Sequence, residues 1–167
     1  MRFNPFKTSF LKNLEGKFQA ETRREGNVLY VKVPREKYLD VARYMREQGF
    51  RTLIMVSAVD WLKKNSFEVY FVLRSPDGKG YVKVAADVPR SSPSIPSLSE
   101  IWRNAAMRER EAWEMFGVTF EGNTMLKPLF LEDWSGPPPF RKDFDWREYV
   151  KEEYGLEPPK QGGRGNA

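Results

Sequence analysis

The stretch Arg108-Glu109-Arg110-Glu111-Ala112-Trp113-Glu114-Met115-Phe116-Gly117 decides the fold, because it forms the second half of a long amphipathic helix. At about 100° per residue, the apolar side chains of this helix share one broad arc, and Glu109 falls inside it. Arg110, Glu111 and Glu114 fall on the opposite side, where we expect water. A carboxylate within an apolar face costs stability unless it finds a partner. We therefore predict that Glu109 is buried and neutralises a buried cation.

The sequence upstream of this helix predicts four strands and one further helix. Strands are expected at residues 27–33, 52–59, 67–73 and 80–88, from their β-branched and aromatic content. One helix is expected to begin at Pro34, and the motif helix to run from a capping box at residues 97–100 to Gly117. The order β-α-β-β-β-α predicts an α+β fold, a mixed sheet with two helices, over residues 26–118.

The two ends of the chain carry different patterns. Residues 1–25 are basic, and Phe6, Phe10, Leu14 and Phe18 recur at every fourth position, as in an amphipathic helix. This helix could lie on a membrane surface, but we favour packing on its own domain or on a partner. Residues 119–167 lack a secondary-structure period yet are rich in aromatic residues, unlike a disordered tail. They predict an extended partner-binding arm with a flexible end, although its own domain could also supply the surface that it covers.

The composition excludes several classes of chemistry. The chain has no cysteine and no histidine, which removes thiolate metal sites, cysteine-ligated clusters and the commonest general base. Its 28 basic and 23 acidic residues give a net charge of +5, typical of a mixed, solvated surface and in keeping with a thermophile. No apolar run approaches the ~20 residues that a membrane span needs, and no secretory signal is evident. We expect a soluble intracellular protein, at most peripheral to a membrane, with no cofactor of its own.

Several ordered motifs resemble one family, the C subunit of NADH:quinone oxidoreductase (respiratory complex I) and of related membrane-bound hydrogenases. The resembling segments are Val59-Asp60-Trp61, Glu109-Arg110-Glu111, Glu114-Met115-Phe116-Gly117, Gly122-Asn123-Thr124, Glu132-Asp133-Trp134-Ser135-Gly136 and Arg141-Lys142-Asp143. The resemblance runs from about Val28 to Phe144. Three positions depart from the family pattern: Asn123 stands for the usual histidine, Met107 for a common tryptophan and Thr124 for a proline.

The resemblance implies a non-catalytic hydrophilic subunit of an electron-transport complex that also translocates ions. The departures and the composition favour a membrane-bound nickel–iron hydrogenase or a sulfur-reducing relative over an NADH/quinone-type enzyme. The expected partners are the large catalytic subunit, a small iron–sulfur subunit and, indirectly, the membrane arm, on the cytoplasmic side of the membrane. Iron–sulfur clusters and a nickel–iron site would reside on those partners. The expected interface residues are Glu109, Arg110, Glu111, Phe116, Gly117, Asp133, Trp134, Arg141, Lys142 and Asp143.

Two other functions are weighed against this one. The basic charge and the aromatic residues are also found in nucleic-acid-binding modules, but no basic stripe or binding motif supports that interpretation. A hydrolase could use Glu109 and Glu114 as paired carboxylates. On the helical wheel these two side chains point about 140° apart, so they cannot flank one bond.

Overall fold

Alternating apolar residues build the main sheet in the computed structural model, which describes residues 8–156. The strands are β1 (Glu21–Glu25), β2 (Val28–Lys32), β3 (Thr52–Trp61), β4 (Ser66–Arg74) and β5 (Tyr81–Pro89). They lie in the order β1-β2-β5-β4-β3, and only β2 and β5 run parallel. Among the described residues, four α-helices accompany them: α1 (Thr8–Phe18), α2 (Tyr38–Glu47), α3 (Ala105–Phe116) and α4 (Trp146–Tyr154). The predicted α+β fold with a mixed sheet is confirmed.

The two faces of the sheet differ in character. On β4, Phe67, Val69, Phe71 and Leu73 are fully buried and point into the core, as the period of two requires. On the opposite face, Glu68 lies 2.9 Å from the ammonium of Lys32 and 2.9 Å from that of Lys83. The sheet therefore buries one face against helices and carries charged pairs on the other.

The N-terminal segment is a helix followed by a strand rather than one helix. Phe10 and Leu14 of α1 are buried, and the Phe10 ring lies 6.2 Å from that of Phe50. Packing of this helix on its own domain is thus confirmed, while Phe6 lies outside the described residues. Glu21–Glu25 forms the edge strand β1, which the helical interpretation of residues 1–25 missed. Its charged side chains suit an exposed sheet edge.

The motif helix begins later than the sequence predicts. Ser97 and Leu98 do not cap α3, because their hydroxyl and backbone amide bind the side chain of Glu109. The chain turns at Leu98, whose carbonyl accepts bonds from the amides of Ile101 and Trp102, and α3 starts only at Ala105. Its end is as predicted: Gly117 adopts a left-handed conformation with φ of +75°, which favours glycine.

The entry to α3 fixes this helix beside the edge strand β3. The indole nitrogen of Trp102 donates to the carbonyl of Phe50 at 3.1 Å, and the Asn104 side chain donates to the carbonyl of Leu53 at 2.9 Å. A short parallel pair, β6 (Ser94–Pro96) and β7 (Thr119–Glu121), brackets the helix. The C-terminal end of α3 therefore has a fixed position, next to residues 140 and 141 of the arm.

The arm (residues 119–167) is described as far as residue 156, and it contains regular structure that the sequence did not reveal. It begins with β7, where Phe120 is buried in the core, and it ends its described part with α4. Between them lie turns around the prolines. The flexible end predicted for the arm lies outside the described residues, and the functional division into basic segment, core and arm stays a prediction. No helix within residues 8–156 is long and apolar enough to cross a membrane.

Candidate partner-binding surface

Glu109 is completely buried, as its place on the helical wheel predicts. Its carboxylate accepts hydrogen bonds from the Ser97 hydroxyl at 2.6 Å, the Leu98 backbone amide at 2.6 Å and the Asn123 side-chain amide at 2.9 Å. Burial raises the pKa of Glu109, and these three hydrogen bonds act in the opposite direction. The prediction that Glu109 neutralises a buried cation is wrong, because three neutral hydrogen-bond donors surround the carboxylate.

Asn123 extends this connection into the arm. Its side-chain nitrogen also donates to the carbonyl of Ala106 at 3.0 Å, and its oxygen accepts the backbone amide of Met125 at 2.8 Å. The asparagine that departs from the family's histidine therefore keeps a donor directed at Glu109. One buried carboxylate thus joins α3, the turn that precedes it and the first turn of the arm.

Two side chains on successive turns of α3 hold the backbone of residues 127–131. The guanidinium of Arg110 donates to the carbonyl of Lys127 at 2.6 Å and to that of Pro128. The carboxylate of Glu114 accepts the amides of Leu129 at 2.8 Å, Phe130 at 3.0 Å and Leu131 at 3.0 Å. A spacing of four residues places Arg110 and Glu114 on one face of the helix. We call this arrangement the α3 grip.

The prediction that Glu114 is a solvated acid is therefore wrong. Partial burial raises the pKa of Glu114, but the amides of Leu129, Leu131 and Phe130 together outweigh that effect and hold the pKa below its ordinary value. The helical wheel identified the correct side of α3 but could not show that the arm covers it. Glu111 is the acid that remains exposed, 3.8 Å from the guanidinium of Arg108.

A second set of contacts fastens the arm to the end of the sheet. Asp60 at the end of β3 is buried, and its carboxylate meets the guanidinium of Arg90 at 3.0 Å and the backbone amide of Lys142 at 2.9 Å. Arg90 also lies 2.6 Å from Asp143 of the arm. The hydrogen bond from Arg90 lowers the pKa of Asp143. Arg90 thus bridges a core carboxylate and an arm carboxylate, and we call these contacts the Arg90 latch.

The arm also completes the C-terminal end of α3. The guanidinium of Arg141 donates to the carbonyl of Phe116 at 2.9 Å, and the amide of Phe140 donates to that of Met115 at 2.9 Å. A Cβ atom at Gly117 would lie 2.8 Å from Arg141 and 2.9 Å from Pro138. Glycine at this position is therefore required both by the backbone conformation and by the close approach of the arm.

The structure brings together most of the predicted interface residues, but not all of them. Phe116 contacts the ring of Phe140 edge-on, with centroids 5.6 Å apart, and Trp134 lies 4.8 Å from the ring of Tyr149 within the arm. Asp133 is exposed and is not among the residues that the α3 grip holds. The partner-contact role of the predicted residues as a group stays a prediction.

Asp60 and Arg90 of the Arg90 latch are not among the interface residues that the sequence predicts. Asp60 belongs to the motif Val59-Asp60-Trp61 and occupies an inward position on β3, in step with Val56 and Ala58. An acid at such a position indicates a buried partner. Nothing in the sequence marks Arg90 as that partner, because it follows β5 and is thirty residues away along the chain.

The arm presents large apolar side chains to solvent. Phe130 is 65% exposed and Phe140 is 60% exposed, and Trp146 and Tyr154 are exposed as well. The α3 grip and the latch act on the backbone and on charged groups, which leaves these rings available. Within residues 8–156, no group of three or more acidic, histidine or cysteine side chains is placed to hold a metal ion. The arrangement is suited to binding another protein chain.

Comparisons with known proteins agree with this geometry. Residues 31–150 match the family described as respiratory-chain NADH dehydrogenase, 30 kDa subunit. The C subunit of the NADH-quinone oxidoreductase of Moorella thermoacetica is 33% identical over 138 residues, which cover 81% of this chain and 93% of the relative. The C/D subunit of the NADH-quinone oxidoreductase of a Sulfurihydrogenibium species is 32% identical over 80% of this chain and 24% of its own length.

Among solved structures, a chain in the membrane-bound sulfane sulfur reductase, an archaeal respiratory membrane complex, superposes with a TM-score of 0.79. It is 30% identical, and the match covers 95% of this chain and 97% of that one. Sequence family, relatives and fold agree on one assignment. The chain belongs to the 30 kDa subunit family of the respiratory-chain NADH dehydrogenase, the C subunits of complex I-like oxidoreductases.

Proposed function

We propose that this chain is a non-catalytic subunit that binds the large catalytic subunit of its complex through the arm and the C-terminal half of α3. The observation that carries the proposal is the presentation of Phe130 and Phe140. Both rings are mostly exposed, yet the backbone beneath them is fixed by Glu114 and by α3. A fixed backbone lowers the entropy cost of binding, so exposed aromatic rings on it are suited to anchor a partner.

The large subunit is the partner best supported by the comparisons. The Sulfurihydrogenibium relative is named as a combined C/D subunit, and this chain matches only 24% of its length. A C-type region in one polypeptide with a D-type region supports the pairing of the two in separate chains. We extend the proposal to a small iron–sulfur subunit as a neighbour, to indirect contact with the membrane arm and to the cytoplasmic side of the membrane.

Within this family we favour a membrane-bound nickel–iron hydrogenase or a sulfur-reducing relative. The near-complete superposition on a chain of the sulfane sulfur reductase supports this choice. The alternative is a C subunit of an NADH/quinone-type enzyme, which the names of the sequence relatives favour. On either choice we propose that the iron–sulfur clusters, and a nickel–iron site in a hydrogenase, belong to partner subunits.

Nucleic-acid binding is a poorer account of the same residues. The guanidinium groups of Arg90, Arg110 and Arg141 bind carboxylates and backbone carbonyls of their own chain. They are therefore not free to contact phosphates.

The direct test is to recover this chain with an affinity tag from native membranes under mild detergent and to identify the proteins that copurify. We expect a large catalytic subunit and an iron–sulfur subunit in equal amounts with this chain. Nickel in the purified complex would indicate a hydrogenase. A complex without nickel that reduces sulfane sulfur would indicate the sulfur-reducing relative. Recovery of the chain alone, or with nucleic acid, would contradict the proposal.

A further inference from the structure

The turn between β3 and β4 presents an exposed aromatic ring beside lysines. Trp61 is 40% exposed, Leu62 is exposed, and Lys63 and Lys64 follow in a single helical turn. The turn closes at Asn65, which adopts a left-handed conformation with φ of +50°. The ammonium of Lys64 lies 5.0 Å from the centre of the Trp61 ring system, within range of a cation–π contact.

The arm adds a second cation to the same ring. The ammonium of Lys142 lies 5.8 Å from the Trp61 ring, and the backbone amide of Lys142 is bound to the buried carboxylate of Asp60 at 2.9 Å. The position of Lys142 is therefore set by the Arg90 latch. We call Trp61, Leu62, Lys63, Lys64 and Lys142 the Trp61 patch, a surface assembled from the sheet and the arm together.

Among the described residues, no carboxylate pairs with the lysines of this patch. Lys63, Lys64 and Lys142 form no ion pair within 4.0 Å in the part of the chain that the structure describes. The nearest carboxylates along the chain, Asp60 and Asp143, are directed at Arg90. Two ammonium groups beside an exposed indole, with Lys63 next to Lys64 in the same turn, are complementary to carboxylates next to an apolar side chain.

We infer that the Trp61 patch binds an acidic segment of a neighbouring subunit in the assembled complex. The inference rests on the proposed function, since it needs a partner chain. Contacts with Trp61 orient Lys64 and Lys142 before the partner arrives, which reduces the entropy lost on binding. The acidic segment would place its carboxylates on the ammonium groups and an apolar side chain against Trp61 and Leu62.

A protein segment suits this patch better than an anionic membrane surface. Three lysines give only weak attachment to anionic lipid, because each adds little electrostatic attraction. Trp61 and Leu62 lie on a short turn rather than along an amphipathic helix that could enter the headgroup region. A partner chain already held in the same complex is present at a high effective concentration, so the same three charges suffice to fix its position.

The inference is tested first by photo-cross-linking in the intact complex. A photoreactive amino acid replaces Leu62 of the full-length chain, and the complex is irradiated in its native membrane and analysed by mass spectrometry. We expect a cross-link to a segment of a partner protein that is rich in Asp and Glu, and none from a matched probe at Tyr81, at the other end of the sheet. A cross-link to lipid, to a basic or neutral segment, or to nothing would overturn the inference.

A charge reversal then tests the electrostatic part. The doubly substituted chain Lys64→Glu, Lys142→Glu should bind the purified partner subunits roughly tenfold more weakly at 50 mM salt, and the difference should shrink at 1 M salt, where screening acts over about 3 Å. Lys12→Glu is the matched control and should bind as the unaltered chain does, because Lys12 is exposed and its helix α1 packs against Phe50, at the opposite end of β3 from Trp61. Equal affinity for the double variant and the control would overturn the inference while leaving the proposed function intact. Failure of the unaltered chain to bind any partner would overturn both.

Discussion

The core and the arm of this protein are held in place by different means. In the core, apolar side chains of the sheet and helices are buried against one another. The backbone groups of the core form hydrogen bonds within the strands and helices of the core. In the arm, core side chains such as Glu114, Arg110 and Asp60 bind the backbone directly. As a consequence, the core buries its apolar side chains, whereas Phe130 and Phe140 of the arm stay exposed. An irregular segment can thus be ordered without burying the residues that it needs for a partner.

Two truncations of the arm should show the largest difference in stability between the core and the arm. A chain that ends at Gly117 loses Val118 and Phe120, both buried in the core, together with the Asn123 donor to Glu109. We expect it to unfold or aggregate. A chain that ends at Leu126 keeps these residues. It loses the rest of the arm with the contacts of Arg110, Glu114 and Asp143, but Asp60 keeps its ion pair with Arg90, so the chain should stay folded. Circular dichroism and thermal denaturation distinguish the two, and a stable chain ending at Gly117 would show that the boundary lies elsewhere.

Glu109→Ala should cause the next largest loss of stability. The substitution leaves the donors of Ser97, Leu98 and Asn123 unpaired and opens a cavity, which together should cost about 3–5 kcal/mol in the free energy of unfolding. Glu111→Ala on the exposed side of the same helix is the control and should change it by less than about 0.5 kcal/mol. Urea denaturation measures both. Similar midpoints for the two variants would mean that Glu109 is not buried among donors.

Arg90→Met should affect the core and the arm together. It leaves the buried carboxylate of Asp60 without its cation, which should cost about 3 kcal/mol, and it releases Asp143. We expect a lower melting temperature and faster tryptic cleavage after Lys142. Arg103→Met, at an exposed position before α3, serves as the control. A variant with normal stability and a protected arm would show that Arg90 does not hold the arm against the core.

Glu114→Ala should act on the arm alone and have the smallest effect on global stability. The amides of Leu129, Phe130 and Leu131 lose their acceptor. We expect their hydrogen exchange to accelerate on the order of tenfold or more, because exchange then no longer requires these hydrogen bonds to break first. Exchange of the amides in β4 and β5 should be unchanged. If the amides of residues 129–131 exchange as before, the arm is ordered by something other than the α3 grip.

The sequence predicts the core far better than the arm, and the reason is physical. The period of two in Phe67–Leu73 and the glycine stop at Gly117 are local signals, and both are confirmed. The burial of Glu109 also follows from a local signal, its place on the apolar arc. Its partners do not, because Ser97 and Asn123 are brought to it by tertiary structure. The same holds for Glu114: a helical wheel identifies which side of a helix is polar, but not whether a distant backbone covers that side.

We propose that the core fixes the arm so that the exposed rings of the arm bind the large subunit. The most direct measurement is the affinity of the Phe130→Ser chain for the large subunit recovered with it, alongside its free energy of unfolding. Phe130 is 65% exposed, so stability should change by less than about 0.5 kcal/mol. As an anchor residue, its loss should weaken binding by at least about thirtyfold. An unchanged affinity in a normally folded variant would contradict the claim.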